Sequence, residues 1–77
     1  MILSDTVPNR HYKITDFNRT TDIRRFLDLG IIRGATITRL FNSPFGDPTA
    51  FLINETVIAL RHTDSKCINV IGCESDD

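Results

Sequence analysis

Four side chains in this sequence could bind a transition metal, namely His11, His62, Cys67 and Cys73. Structural zinc sites use four nitrogen or sulfur ligands, which usually come in closely spaced pairs such as two cysteines separated by two residues. Here His62 and Cys67 are five positions apart and Cys67 and Cys73 are six apart, so no such pair is present. The spacing therefore predicts neither a metal site nor a cofactor.

The same residues offer little for catalysis. A Cys67 nucleophile would need a base within hydrogen-bond reach, and five positions along a single turn place His62 on a different side. Gly30, Arg33 and Gly34 do not form the phosphate-binding pattern G-x-x-x-x-G-K-[ST]. We therefore do not expect an enzyme.

Several arginines in the first half of the chain raise the question of nucleic-acid binding: Arg24, Arg25, Arg33 and Arg39. A nucleic-acid binder carries a concentrated positive surface, and binders of single strands add aromatic side chains that stack on bases. This chain has a net charge of −1, one tyrosine and no tryptophan, and three of its last four residues are acidic. The composition argues against a nucleic-acid interface.

Contact with another protein is the function that these residues favour, with a helix at 22–29 and the loop at 30–34 as the main docking surface. Arg24, Arg25 and Arg33 would steer a partner, and neighbouring apolar side chains would supply buried area, namely Leu29, Ile31 and Phe45. The alternative, that the arginines only keep a helix solvated, stays open. Phe45 lies in the loop Pro44-Phe45-Gly46-Asp47-Pro48, where an aromatic ring either plugs the end of the domain or anchors a partner. The sequence does not decide between these two roles, with the plug slightly favoured.

The elements that must position these residues are short. A length of 77 residues allows one domain, with a core from about 11 to 71 and an acidic tail at 74–77. Runs rich in β-branched residues predict strands at 12–17, 36–41, 49–53, 56–61 and 67–71, with a bulge near Arg39. Thr20-Thr21-Asp22 and Gly30 predict the two ends of a helix at 22–29. A two-residue hairpin turn is predicted at Asn54-Glu55 and a single turn at 62–66.

This order of elements predicts an all-β fold with one short helix, a small SH3-like five-stranded barrel. Its expected core consists of apolar residues at strand or helix spacing: Ile14, Phe26, Ile37, Leu52, Ile58, Leu60, Ile68 and Val70. No apolar run approaches the roughly 20 residues that cross a bilayer, and Met1-Ile2-Leu3 is followed directly by Ser4-Asp5. We expect a cytoplasmic protein whose cysteines remain reduced.

The chain also resembles a known family. Leu29-Gly30, Gly34, Gly46-Asp47-Pro48 and Ala59-Leu60-Arg61 occur in the order found in the FeoA family, the small proteins of bacterial ferrous iron transport. The resemblance covers residues 12–70. Arg33 stands where the family commonly has proline, and Asn54-Glu55 stands where it often has a glycine turn, so both loops are expected to be less rigid here.

The resemblance implies a cytoplasmic accessory protein that acts on a FeoB-type membrane iron transporter with a cytoplasmic GTPase domain. It implies no shared metal-ligand motif. The alternative function is a transition-metal sensor or carrier that binds ferrous iron. The contact surface on the partner, the stoichiometry and the oligomeric state do not follow from the sequence.

Overall fold

The structure, a computed structural model, describes residues 1–18 and 23–73. Its five strands are β1 (His11–Phe17), β2 (Thr36–Asn42), β3 (Thr49–Ile53), β4 (Thr56–Leu60) and β5 (Ile68–Gly72). Two short helices, α1 (Ile23–Asp28) and α2 (His62–Ser65), follow β1 and β4. All five predicted strands are confirmed to within one residue at each end, and α2 is the predicted single turn. The predicted start of the first helix at Thr20-Thr21-Asp22 and the acidic tail at 74–77 lie outside the described residues.

All five strands lie in one antiparallel sheet in the order β4-β3-β2-β1-β5. The two-residue hairpin turn between β3 and β4 is confirmed, because Asn54 and Glu55 have φ angles of 52° and 62°, as a type I′ turn requires. β4 and β5 are the two edge strands, and within the described residues they do not pair with each other. Helix α2 connects β4 to β5 along the chain.

The predicted bulge in β2 is present and changes which side chains face the core. The register of β2 against β3 shifts between Arg39 and Phe41. Before the shift, Ile37 lies opposite Ile53, and both side chains are buried. After it, Phe41 lies opposite Ala50 and its ring is exposed. The extra residue thus turns the end of β2 outward.

Residues 1–10 lie along the sheet and close part of its inner side. Leu3, in a 3₁₀ turn spanning Leu3–Asp5, is fully buried. The Arg39 guanidinium donates from Nη1 to the carbonyl oxygens of Ser4 and Thr6, at 3.1 and 2.9 Å. Arg39 therefore holds this segment in place.

The core contains six of the eight predicted residues: Ile14, Phe26, Ile37, Leu60, Ile68 and Val70. Ile58 is half-buried and packs against them. The prediction for Leu52 is wrong, because β3 turns Phe51 and Ile53 inward and leaves Leu52 on the other side of the sheet. Successive strand side chains alternate between faces, and a strand that is apolar throughout does not reveal which set points inward.

Helix α1 is held on the sheet by aromatic packing and by its C-terminal turn. The Phe26 ring packs against Phe17 with ring centroids 5.9 Å apart. At the end of the helix, Gly30 has φ +87°, its N–H donates to the Leu27 carbonyl at 3.0 Å, and the Ile31 N–H donates to the Phe26 carbonyl at 2.9 Å. This pair of hydrogen bonds is the Schellman motif, and it confirms Gly30 as the residue that ends the helix.

Candidate partner-binding surface

The segment from α1 to the following loop exposes four large apolar side chains, which we call the α1 face: Ile23, Leu27, Leu29 and Ile32. Ile23 and Leu27 are four positions apart and therefore lie on the same side of the helix. Leu27 is 50% exposed and Ile32 is 45% exposed. Contiguous exposed apolar surface marks interaction sites, and these four side chains within ten positions make the segment the candidate contact surface.

Ile31, which was predicted to contact a partner, does not belong to this surface. Its side chain is fully buried in the core. The residue after the glycine of a Schellman motif commonly packs back on the last turn of the helix, and Ile31 occupies that position relative to Phe26. Its neighbour Ile32 is exposed instead. The sequence could have indicated this difference, because Ile31 directly follows the glycine that ends the helix and Ile32 does not.

The three predicted arginines differ in their surroundings. Arg24 is exposed, and within residues 1–18 and 23–73 no ion pair to it is found. Arg25 donates from Nη2 to Asp64 Oδ1 at 2.6 Å, and its guanidinium lies 5.7 Å from the centroid of the Phe26 ring. Arg25 therefore joins α1 to α2, which makes it a structural residue rather than a freely available contact.

Arg33 forms an exposed ion pair beside the α1 face. It donates from Nη2 to Asp16 Oδ1 at 2.8 Å. The pKa of Asp16 is lowered, first by a hydrogen bond from the Phe17 backbone N–H to its carboxylate and second by Arg33. Both side chains are largely exposed, so water and salt screen the pair and a partner carboxylate could replace Asp16 at little cost.

The predicted plug at Phe45 is wrong, because the ring is 94% exposed. Beneath the loop there is a cavity of about 50 Å³ lined by Phe51 and Ser65, which is the volume of one or two water molecules and too small for a phenyl ring. The loop is tied to α2, since the His62 N–H donates to Asp47 Oδ1 at 2.9 Å. Phe45 is thus presented outward on an anchored loop.

A further apolar area, which the sequence did not single out, lies on the outside of the sheet. We call it the outer sheet face, and it consists of Phe41, Ala50, Leu52, Val57 and Ala59. The strand register places Phe41 opposite Ala50, Ala50 opposite Ala59, and Leu52 opposite Val57. Phe41 and Val57 are 63% and 58% exposed. The unbroken apolar run of β3 resembles a strand buried on both faces, which hides this exposure in the sequence.

The histidines and cysteines do not belong to the α1 face. Cys67 follows α2 and its Sγ donates to the Thr63 carbonyl at 3.6 Å. Cys73 follows β5 at the opposite end of that strand, and no disulfide bond joins the two cysteines. Among the described residues, no group of three or more histidine, cysteine, aspartate or glutamate side chains could share a metal ion.

The sequence matches the FeoA domain over residues 1–71. This chain belongs to the FeoA family. No curated protein sequence is similar enough to count as a match. The FeoA family consists of small accessory transport proteins rather than enzymes. Neither helix in the described part of the chain is long and apolar enough to cross a membrane.

Solved structures share the fold. The FeoA protein from Chlorobium tepidum is 28% identical with a TM-score of 0.87, and the match covers 100% of this chain and 74% of that one. A FeoA-like protein from Clostridium acetobutylicum is 24% identical with a TM-score of 0.85, covering 100% and 91%. The zinc-complexed FeoA of Stenotrophomonas maltophilia is 24% identical with a TM-score of 0.77, covering 91% and 88%. That protein is described as an SH3 domain protein, so the predicted SH3-like fold is confirmed.

Proposed function

We propose that this FeoA-family protein is a cytoplasmic accessory protein of ferrous iron transport that acts by contact with a FeoB-type membrane transporter, through the transporter's cytoplasmic part. Family membership supports the role in iron transport. The Stenotrophomonas relative is described as a candidate ferrous iron transport activating factor, which supports an accessory role here. The observation that carries the proposal is the exposed α1 face.

The α1 face is suited to binding because it is held rigidly while remaining apolar. Covering apolar surface gains about 25 cal/mol per Å², and a surface that is already ordered loses little conformational entropy on binding. The six-residue helix α1 is fixed by buried Phe26, by Ile31 and by the Arg25–Asp64 ion pair. A partner would therefore meet Leu27 and Ile32 in positions that need no rearrangement.

Two arginines border this face and give it a charge preference. Arg24 is exposed, and Arg33 forms an ion pair with the exposed Asp16 carboxylate. Rim charges of this kind mainly raise the association rate and select partners of opposite sign. We therefore expect the transporter's contact surface to carry carboxylates around an apolar centre. Phe45 would serve as a separate anchor, since a single exposed aromatic ring on a fixed loop can fill a pocket on a partner.

The test is the affinity of purified variants for the cytoplasmic part of the transporter, measured by titration calorimetry at low and high salt. Leu27→Glu places a charge in the centre of the α1 face, and we expect it to weaken binding at least tenfold, which is about 1.4 kcal/mol. Arg24→Glu should weaken binding several-fold at low salt and less at high salt, because the screening length shortens. Neither change removes a buried group, so melting temperatures should stay close to that of the wild type.

Matched controls carry the same chemical changes elsewhere. Val57→Glu introduces a carboxylate on the outer sheet face, and Arg10→Glu reverses a charge at the other end of β1 from α1. Both should bind like the wild type. Normal binding by Leu27→Glu, or a loss in Val57→Glu of similar size, would refute docking through the α1 face. Arg25 is not used because its reversal would also break the ion pair to Asp64.

A further inference from the structure

The pairing of β1 with β5 brings together a histidine and a cysteine that are far apart in the sequence. Tyr12 lies opposite Gly72, and the Cys73 N–H donates to the His11 carbonyl at 3.0 Å, which continues the ladder by one residue. His11 and Cys73 are therefore directly opposite each other. Residues in that relation have Cβ atoms about 4.5–5.5 Å apart and side chains on the same face of the sheet. Tyr12 points into the core, so this face is the outer one.

His11 is held in the way that metal-binding histidines usually are. Its Nδ1 lies 2.7 Å from Oγ1 of Thr38, the residue opposite it on β2. Thr38 is only 6% exposed, so the hydroxyl is a fixed partner. When Nδ1–H donates to this hydroxyl, Nε2 carries the lone pair that a metal ion needs. A hydrogen bond from the non-ligating ring nitrogen is the common outer-shell support of a metal-bound histidine.

An open cavity adjoins the two residues. His11 and Cys73 both line a cavity of about 450 Å³ that is open to solvent, and Met1 lies at its edge. The thiol of Cys73 is free and half-buried. Arg10 and the α-ammonium group of Met1 are the cationic groups of the residues that line the cavity, and because both residues are exposed, solvent screens their charges. The cavity is large enough for a hydrated ion beside His11 and Cys73.

We infer that His11 and Cys73 form a binding site for a divalent transition-metal ion of the zinc, cobalt or iron(II) class. A thiolate and an imidazole together favour these borderline ions over magnesium or calcium, which prefer oxygen donors. On binding, the Cys73 thiol releases its proton to solvent, the sulfur and His11 Nε2 each form a bond to the ion, and two water molecules leave the ion. The other coordination positions keep water, so the site binds less tightly than a four-ligand structural zinc site. This site is separate from the α1 face and does not depend on the docking proposal.

The probe is Co²⁺ alone, added to the reduced full chain under a non-thiol reductant while sulfur-to-cobalt charge-transfer absorption is recorded. The wild type should show this absorption with one ion per chain, and Zn²⁺ should abolish it by displacing cobalt. Cys73→Ser should remove the absorption, whereas Cys67→Ser, the matched control, should keep it. His11→Gln should weaken cobalt binding, whereas His62→Gln should not.

Thr38→Val tests the support of the ring, because it removes the hydroxyl and keeps the shape of the side chain. We expect cobalt affinity to fall about 10- to 100-fold while the absorption at saturation is unchanged. Circular dichroism of each variant shows whether the fold is retained. Absence of the absorption in the wild type at tenfold excess of Co²⁺ would overturn the inference. So would an absorption that survives Cys73→Ser, or one that Cys67→Ser reduces equally.

Discussion

Ile31 and Ile32 are identical side chains one position apart, and they have opposite roles. Ile31 is buried because the turn that ends α1 folds it back on Phe26, while Ile32 is exposed in the α1 face. The end of the helix at Gly30 could be predicted from the sequence, and the position after a glycine cap is the usual place for such a contact. At the residue scale, two backbone hydrogen bonds therefore determine which of the two isoleucines is exposed.

Leu60 illustrates the cost of a change in the core. It is 1% exposed on β4, and Leu60→Ala should lower the free energy of unfolding by about 2–5 kcal/mol, through lost apolar burial and the cavity left behind. Denaturant unfolding measures this value. Val57→Ala on the same strand is the matched control, because Val57 is largely exposed, and it should cost far less. Equal stabilities for the two variants would contradict the assigned register of β4.

Asp16 predicts a pH dependence. Its pKa lies below the usual value of 3.8, because the Phe17 N–H and then Arg33 favour the charged carboxylate. A group whose pKa is lower in the folded state adds stability that is present above its unfolded pKa and is lost as pH falls through the folded pKa. Asp16→Asn should therefore flatten the fall in unfolding free energy below about pH 4. The effect is small because the carboxylate is exposed. The prediction would be contradicted if Asp16→Asn left the acid-side pH dependence of the unfolding free energy unchanged and NMR titration gave Asp16 an ordinary pKa.

The elements divide into those that local chemistry determines and those that tertiary packing determines. The Asn54-Glu55 turn, the Gly30 helix end and the β2 bulge were all predictable, because positive φ, a glycine cap and alternation are local properties. The inward face of β3 was not, because every residue from Ala50 to Ile53 is apolar. The exposed Phe45 loop was not predictable either, since the loop is anchored by a tertiary hydrogen bond from the His62 N–H to Asp47.

The loop after α1 offers a prediction at the scale of one turn. The Ala35 N–H donates to the Ile32 carbonyl at 3.1 Å and Gly34 has φ +89°, which defines a type II turn with Arg33 at the position that favours proline. Arg33→Pro should fix that φ and restrict the unfolded chain. Compared with Arg33→Ala, which loses the same Asp16 ion pair, the proline variant should be more stable by about 0.4–1 kcal/mol in denaturant unfolding. A proline variant less stable than the alanine variant would rule out the turn type.

At the scale of the molecule, the α1 face, Phe45 and the outer sheet face are apolar regions that the described residues expose to solvent. The SH3-like fold could be predicted from the order of elements. Only part of the candidate site could be, since Leu29, Arg24 and Arg33 are exposed as expected while Ile31 is core and Arg25 is tied to Asp64. Ile23, Leu27 and Ile32 lie within the predicted docking surface, 22–34, but were not singled out, because exposure depends on how a six-residue helix rotates on the sheet.

NMR mapping is the most direct test of docking through the α1 face. Methyl and amide signals of the labelled protein are followed while the unlabelled cytoplasmic part of the FeoB-type transporter is added. We predict that the largest shifts and line broadening fall on Ile23, Leu27, Leu29 and Ile32, with smaller changes at Arg24 and Arg33, while Val57 and its neighbours on the outer sheet face stay unchanged. Changes centred on the outer sheet face, or no changes at saturating transporter, would contradict the account.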